Sequence, residues 1–252
     1  MKKIGIVGGV GWPSTLDYYR LLCTAANAHF EALGTSLPHP TPPMTIESLV
    51  MHETRGYRAR PGDGDAAWAR YDGAFRDALL RLEAAGCDFA VIANNTSHTR
   101  LQAITRGVRL PVVSILDEAA EAARLTGARK ALVLGTEVTM RAADYAVLLR
   151  ARGIEPNERL PDASIEELQA LIDREFHAGC TPAGRAGLLD FCARHAGDRD
   201  STVVLLACTE LPLAFPDHGD AATFEAEGFR FVNTTAAHVR AALQISLGQR
   251  PL

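Results

Sequence analysis

Several features that define common protein classes are missing from this sequence of 252 residues. No apolar run is long enough to span a membrane, and the start, MKKIGIVGGVGW, breaks into glycines too early for a signal-peptide core. The formal net charge is only -4, so nothing favours nucleic acid or an anionic membrane as a partner. We therefore expect a cytoplasmic protein without either partner.

The cysteines lack the spacing of a metal site or a disulfide framework. None of the five forms a C-x-x-C pair, so we expect neither a zinc site nor a set of disulfides. Cys23, Cys87 and Cys192 lie in or at the ends of apolar-periodic helices, where packing is the favoured role of a thiol.

The signature of a nucleotide site is also incomplete. The stretch GGVGWPS partly matches the dinucleotide fingerprint G-x-G-x-x-G, but Ser14 takes the place of the third glycine, and Trp12 and Pro13 crowd the turn. The nearest strand-borne acid, Glu47, lies further on than the roughly 20 residues that ribose recognition uses. No GxxxxGK[ST] motif occurs. We expect no cofactor.

What is present is an alternation of short apolar runs with helical patterns. Near-continuous apolar strands between helices predict mostly parallel sheets flanked by helices, which is an α/β fold. GIVGGVGWPSTLDYY is echoed by ALVLGTEVTMRAADYAVLL, and FAVIANNT by VVLLACTE. The echo favours two similar lobes with the active site in the cleft between them. We expect residues 1–114 plus 230–252 to form the first lobe and residues 115–229 the second.

Three local elements are further expectations. PVVSIL, residues 111–116, reads as a strand, and residues 139–152 read as one helix. A helix is expected to start at Glu210–Leu211, directly after the buried strand TVVLLAC.

Small polar residues follow most of the predicted strands. In open parallel sheets ligands bind beyond the carboxyl ends of the strands, although any one such residue could simply cap a helix. Together they favour a small carboxylate or phosphate as ligand. The residues concerned are Gly8, Gly9, Ser14, Thr15, Asn94, Asn95, Thr96, Gly135, Thr136, Thr139, Cys208, Thr209, Asn233, Thr234 and Thr235.

Cys208 differs from the other cysteines in its position. It directly follows a buried strand and precedes the predicted helix start. A helix N-terminus lowers the pKa of a thiol from roughly 8.5 and favours the thiolate. Cys208 is therefore a candidate base or nucleophile.

These motifs resemble the cofactor-independent aspartate/glutamate racemase family. The resemblance runs in order through G-G-x-x-W-x-S-T, NNTSH, LGTEVTM and ACTELPL, over nearly the whole chain. It implies two facing α/β lobes, each contributing one cysteine beside the substrate's α-carbon. One thiolate removes the α-proton and the opposite thiol protonates the other face, without pyridoxal phosphate. The resemblance also implies a homodimer.

By position, the resemblance makes Cys208 the second-lobe catalytic cysteine, with Thr209 beside it. Asn95 and Thr96 would hold the α-carboxylate of a small carboxylate or amino-acid substrate. The complete set of predicted substrate-binding residues is Gly9, Trp12, Ser14, Thr15, Asn95, Thr96, Thr136, Thr139, His177, Thr209 and Glu210.

The chain departs from the family pattern at three positions. The first-lobe cysteine is replaced by Asn94, whose carboxamide cannot act as a general acid or base near neutral pH but can stabilise charge. His177 stands where members with acidic substrates tend to carry a lysine, and Asn233 where an aspartate is frequent. His177 could equally be a solvated helix end.

Three functions remain open from the sequence. The leading one is a racemase or epimerase of aspartate, glutamate or a related amino acid, with Thr96, His98, His52 or a bound water as the second acid. The second is a single-cysteine decarboxylase of a substituted malonate, in which a lone thiol protonates an enediolate. The third is a carboxylate-binding homologue whose catalysis is impaired by Asn94.

Overall fold

The computed structural model describes residues 1–59, 63–176 and 179–252. These residues form two compact units, Met1–Ser114 with His238–Leu252 and Ile115–Ala237. Within the described residues, no helix combines the length and the apolar character needed to cross a membrane.

Unit 1 is built on a three-stranded parallel sheet with the order β2-β1-β3. Its strands are β1 (Ile4–Gly8), β2 (Met44–Ser48) and β3 (Phe89–Ile92). Every residue of β1 and β3 is buried. Such runs are apolar throughout because both faces of a parallel sheet are covered.

Helices cover both faces of this sheet. On one face Ile4 and Ile6 share a core cluster with Leu22, and on the other Val7 shares one with Phe75. The helices of the unit are α1 (Trp12–Ala32), α2 (Met51–Gly56), the 3-10 helix Asp65–Trp68, α3 (Ala69–Ala84), α4 (Asn95–His98), α5 (Leu101–Ile104), and the part of the C-terminal helix (Thr234–Ser246) that begins at His238.

Unit 2 contains a five-stranded sheet with the order β5-β4-β6-β8-β7. The strands are β4 (Lys130–Gly135), β5 (Glu155–Pro156), β6 (Thr202–Ala207), β7 (Thr223–Ala226) and β8 (Phe229–Asn233). Among them, only the pair β7–β8 is antiparallel.

The central strand β6 is buried on both faces here as well. Leu206 lies in one core cluster with Phe191, whereas Leu205 lies in another with Ala119. The helices are α6 (Ile115–Leu125), α7 (Glu137–Arg141), α8 (Asp144–Arg150), α9 (Asp162–Glu175), α10 (Pro182–His195), and the 3-10 helices Leu211–Ala214 and Pro216–His218. The prediction of an α/β fold with parallel sheets flanked by helices is confirmed.

The expected domain boundary at residue 230 is wrong. Residues 230–237 belong to unit 2, because β8 is hydrogen-bonded to β6 with Val203 opposite Arg230. The chain enters unit 1 again only at His238.

Two expected elements also differ from the prediction. PVVSIL contributes only an isolated bridge, Ala90 to Val112, because Pro111 has no N–H and α6 already begins at Ile115. The single helix expected over residues 139–152 is divided into α7 and α8 by the extended backbone of Ala142 (ψ 147°). The two-residue β5 and the antiparallel β7 were not expected.

Candidate active site

The loop between β1 and α1 is held by close backbone contacts. Gly9 has φ +80°, and a Cβ at this position would lie 2.0 Å from the Leu49 carbonyl oxygen. Its N–H donates to Thr15 Oγ1 at 2.8 Å. Gly9 therefore provides the close approach that the loop requires, and the Thr15 hydroxyl stabilises the loop.

The first turn of α1 follows this loop and contains two more predicted residues. Pro13 in the first turn favours a helix start here. Ser14 is fully buried, whereas Trp12 is 53% exposed.

Asn94, which ends β3, caps the helix that follows. Its backbone is extended (φ -165°), and Oδ1 accepts a hydrogen bond from Ser97 N–H at 2.8 Å. This is the geometry of an N-cap residue. The carboxamide oxygen is thus engaged in the cap, so while the cap is formed Asn94 can offer a ligand its Nδ2 donor.

Asn95 and Thr96 form the turn directly after Asn94, at the start of α4, and both are buried. β1 and β3 are adjacent and parallel, so their carboxyl ends lie at the same edge of the sheet. Unit 1 thus brings this turn to the edge that carries the Gly9 loop.

His98 and His238 continue the polar contacts beneath this turn. His98 Nδ1 lies 2.8 Å from the Asn94 carbonyl oxygen, and Nε2 lies 3.4 Å from that of Val113. His238 Nε2 is 3.0 Å from the same Val113 oxygen, and its Nδ1 is 2.6 Å from the Tyr18 hydroxyl. The sequence analysis assigned no role to Tyr18 or His238. The single histidine in the largely apolar helix TTAAHVRAAL could have indicated a buried polar contact.

Cys208, at the end of β6, faces a carboxylate. Cys208, Thr209 and Glu210 are all more than nine-tenths buried. Cys208 Sγ donates to Glu210 Oε2 at 2.8 Å, and Thr209 Oγ1 donates to the same oxygen at 3.5 Å. A carboxylate in this position can accept the proton of the thiol.

The helix expected after Cys208 is shorter than predicted. Leu211–Ala214 is a single turn of 3-10 helix preceded by Glu210. A four-residue helix has little macrodipole, so the expected influence of a helix N-terminus on the thiol is weak. The Glu210 carboxylate is instead a polar group in hydrogen-bonding contact with Cys208.

Of the other cysteines, Cys87 and Cys192 are buried, and Cys23 and Cys180 are partly exposed. Burial raises the pKa of Cys192 to about 12. Burial is also the main cause that raises the pKa of Cys23, Cys87 and Cys180. A raised pKa disfavours the reactive thiolate in each case.

The end of β4 lies beside the end of β6, to which it is paired in parallel. Gly135 permits this approach, since a Cβ there would lie 2.6 Å from the Ala207 carbonyl oxygen. Thr136 precedes α7, and its Oγ1 lies 3.1 Å from that of the buried Thr139. Unit 2 therefore brings two threonine hydroxyls to the sheet edge that carries Cys208.

Asn233 and His177 are the two positions at which the chain departs from the family pattern besides Asn94. Asn233 Oδ1 accepts from Ala236 N–H at 3.1 Å, and its Nδ2 donates to the Gly219 carbonyl at 3.2 Å, so Asn233 acts as a helix cap. His177 lies outside the described residues. Throughout the described ranges, no group of three or more His, Cys, Asp or Glu side chains could hold a metal ion.

Two sequence comparisons relate this chain to known proteins. A sequence profile of the family described as Asp/Glu/hydantoin racemase matches residues 7–242. The chain is 30% identical over 216 residues to the broad specificity amino-acid racemase RacX of Bacillus subtilis (strain 168), a match that covers 82% of this chain and 85% of RacX.

Solved structures share the fold. An aspartate racemase homologue from Pyrococcus horikoshii OT3 superposes with a TM-score of 0.73 at 28% identity, covering 98% of this chain and 100% of that one. The aspartate racemase of Picrophilus torridus also has a TM-score of 0.73, at 18% identity, with 98% and 95% covered. The chain belongs to the Asp/Glu/hydantoin racemase family and is an isomerase of the racemase type.

Proposed function

We propose that this racemase acts on aspartate, glutamate or a related amino acid, without pyridoxal phosphate, and that Cys208 transfers the α-proton. The observation that carries the proposal is the contact of Cys208 Sγ with Glu210 Oε2 at 2.8 Å, at the end of a fully buried strand. We propose further that the enzyme is a homodimer, as the family resemblance implies, and that it is cytoplasmic.

Glu210 and Cys208 can carry out the proton abstraction in two steps. The Glu210 carboxylate accepts the Sγ proton, which leaves a thiolate. The thiolate then takes the α-proton, and the electron pair of the broken Cα–H bond passes into the substrate carboxylate as an enediolate. Protonation of the opposite face of Cα gives the other enantiomer. A neighbouring base is a common means of activating a nucleophilic or basic thiol.

The α-carboxylate is assigned to Asn95 and Thr96, at the start of α4. Their side chains and the N–H groups of this turn can stabilise the negative charge that develops on the enediolate. In unit 2, the hydroxyls of Thr136, Thr139 and Thr209 are the proposed polar contacts for the rest of the substrate.

The second proton donor is the unusual part of the proposal. Asn94 has no proton to transfer near neutral pH. Both ring nitrogens of His98 face carbonyl oxygens, those of Asn94 and Val113. We therefore do not propose His98 as the donor. Thr96, His52 and a bound water are therefore the remaining candidates for the second proton donor.

The identity of the substrate is supported only at the level of its class. RacX carries the name of a broad specificity amino-acid racemase. We propose that neutral amino acids compete with aspartate and glutamate in this enzyme as well.

A one-sided reaction is the second candidate, and Asn94 is the observation that favours it. With a thiol at the end of β6 and a helix-capping amide at the end of β3, protonation from the Cys208 side alone is sufficient for decarboxylation of a substituted malonate. Carbon dioxide leaves, the enediolate forms, and the Cys208 thiol protonates it.

One experiment separates these functions. Amino acids of both configurations are incubated in deuterated water, and α-proton exchange is followed by NMR and enantiomer composition by chiral chromatography, while substituted malonates are tested for release of carbon dioxide. Racemisation with exchange is the expected result. Carbon dioxide release without amino-acid exchange would instead identify the decarboxylase, and inactivity in both assays would contradict both enzymatic proposals.

Replacement of the proposed acid/base tests the mechanism. Cys208→Ser retains the shape but raises the side-chain pKa far beyond the working range, so turnover should fall by at least about a hundredfold. Cys192→Ser, a buried cysteine in the same unit, is the matched control and should retain turnover per folded molecule. Wild-type turnover in Cys208→Ser would exclude the assignment.

A further inference from the structure

Three aromatic side chains form a polar chain inside unit 1. Tyr18 on α1 and His238 on the C-terminal helix are fully buried, and His98 on α4 is 4% exposed. The His98 and His238 rings meet edge to face at 5.7 Å between centroids, and Tyr18 and His238 at 5.6 Å. The chain leads from the core to the backbone of Asn94.

The hydrogen-bond partners determine the tautomer of His238. The Val113 carbonyl can only accept, so Nε2, at 3.0 Å, must carry the proton. Nδ1 is then an acceptor, and the Tyr18 hydroxyl donates a hydrogen bond to it at 2.6 Å. Burial and then the charge of His98 lower the pKa of His238 well below 6.5, in agreement with a neutral ring.

The same argument shows which nitrogen of His98 donates to the Asn94 carbonyl. The Asn94 carbonyl oxygen, 2.8 Å from Nδ1, can only accept, so Nδ1 carries a proton and donates. Ser97 Oγ donates to this oxygen as well, at 3.1 Å. The His98 ring thus fixes the peptide group that leads into Asn95, and the edge of His238 fixes the plane of the His98 ring.

Burying three polar rings is expensive unless each polar atom has a partner. A hydrogen-bonded network of this kind rigidifies the backbone to which it is attached. The backbone at the end of this network is the turn at Asn94, Asn95 and Thr96.

We propose that Tyr18 and His238 are positioning residues for the substrate carboxylate: through His98 they hold the turn at Asn94, Asn95 and Thr96 in its binding geometry. The inference rests on the proposed function in so far as Asn95 and Thr96 bind that carboxylate. Neither Tyr18 nor His238 touches the substrate.

The test is Tyr18→Phe, which removes one hydroxyl and leaves His238 Nδ1 without its donor. KM for the best amino-acid substrate should rise about tenfold because the turn binds the carboxylate less tightly, and kcat should fall as well because the same turn stabilises the enediolate. Tyr71→Phe is the matched control, since Tyr71 is fully buried in the same unit and lies in the core cluster on the other face of the sheet. Its KM should be unchanged.

A spectroscopic readout keeps the test independent of catalysis. Nitrogen-15 NMR of the wild-type protein should show His238 protonated at Nε2 alone, and Tyr18→Phe should shift the backbone amide signals of Asn95 and Thr96. If no amino acid is racemised by the wild type, the proposed function fails, and these amide shifts still decide the positioning role. Unmoved amide signals, or a KM equal to that of Tyr71→Phe, would overturn it. Should Tyr18→Phe not fold, His238→Gln, which removes the ring edge against His98, is expected to give the same KM increase and the same shifts.

Discussion

At the scale of single residues, Asn94 has one role that the structure shows and one that is proposed. Its Oδ1 caps α4 through Ser97 N–H, which is a structural role. Its position is also the one that, by family resemblance, corresponds to the first catalytic cysteine. The two roles predict different effects of a thiol at this position. A capping role predicts only a loss of stability, whereas a role in the site predicts a gain in rate.

Asn94→Cys is therefore a direct prediction. Loss of the cap should lower the free energy of unfolding by about 1 kcal/mol. If the position faces the substrate, the new thiol supplies the missing acid/base, and racemisation should rise at least about tenfold, most in the direction that now lacks its base. α-Proton exchange from both enantiomers, measured before and after the substitution, gives the answer.

Asn94→Ser is the control for this substitution. Serine preserves the cap but has no titratable group in the working range, so it should retain stability without any gain in rate. An Asn94→Cys variant that is less stable and no faster would assign the residue to capping alone.

At the scale of elements, the loop between β1 and α1 depends on Gly9. Gly9 and Gly34 both have positive φ (+80° and +72°), so alanine at either position meets the same backbone penalty. Only at Gly9 does the new Cβ collide with backbone, at 2.0 Å from Leu49 O, whereas it meets nothing within 4 Å at Gly34.

Gly9→Ala should accordingly cost about 1–3 kcal/mol more in the free energy of unfolding than Gly34→Ala. It should also weaken substrate binding, because the Gly9 N–H bond to Thr15 is displaced. Chemical denaturation of both variants and a KM measurement provide the comparison. Equal stability losses would show that the loop yields to the added methyl group.

The two strands that were not predicted, β5 and β7, have few buried apolar residues. β5 has only two residues, and β7 has a single buried side chain, Phe224, so neither shows a hydrophobic period. The strands β1, β3, β4 and β6 were recognisable because burial on both faces makes their sequences almost continuously apolar.

At the scale of the whole molecule, the buried His238 links stability to pH. Its pKa is lowered in the folded state, so as the pH falls the unfolded chain binds the proton first. This contribution to stability is complete above the unfolded pKa of roughly 6.5 and decreases below it. The titratable groups that face His238 are His98 and Tyr18, and burial raises the pKa of the latter.

Denaturation at several pH values should show the free energy of unfolding decreasing from about pH 6.5 downward, by up to about 1.4 kcal/mol per pH unit for this one proton. His195, whose pKa burial also lowers, acts in the same direction. The difference between wild type and His238→Gln isolates the contribution of His238. A pH dependence identical in the two proteins would contradict the assignment.

The sequence by itself determined the strand–helix alternation, the α/β class, and the polar residues at the strand ends. These features depend on apolar runs and helical periodicity, which involve residues close together in the sequence. Only the tertiary structure decided that β8 pairs with β6, that Glu210 turns back to the Cys208 thiol, and that Tyr18 meets His238 across 220 positions of sequence. The physical reason is that side-chain contacts depend on direction and distance in three dimensions. The hydrophobic pattern of a segment specifies which face is buried, not which polar atom it will meet there.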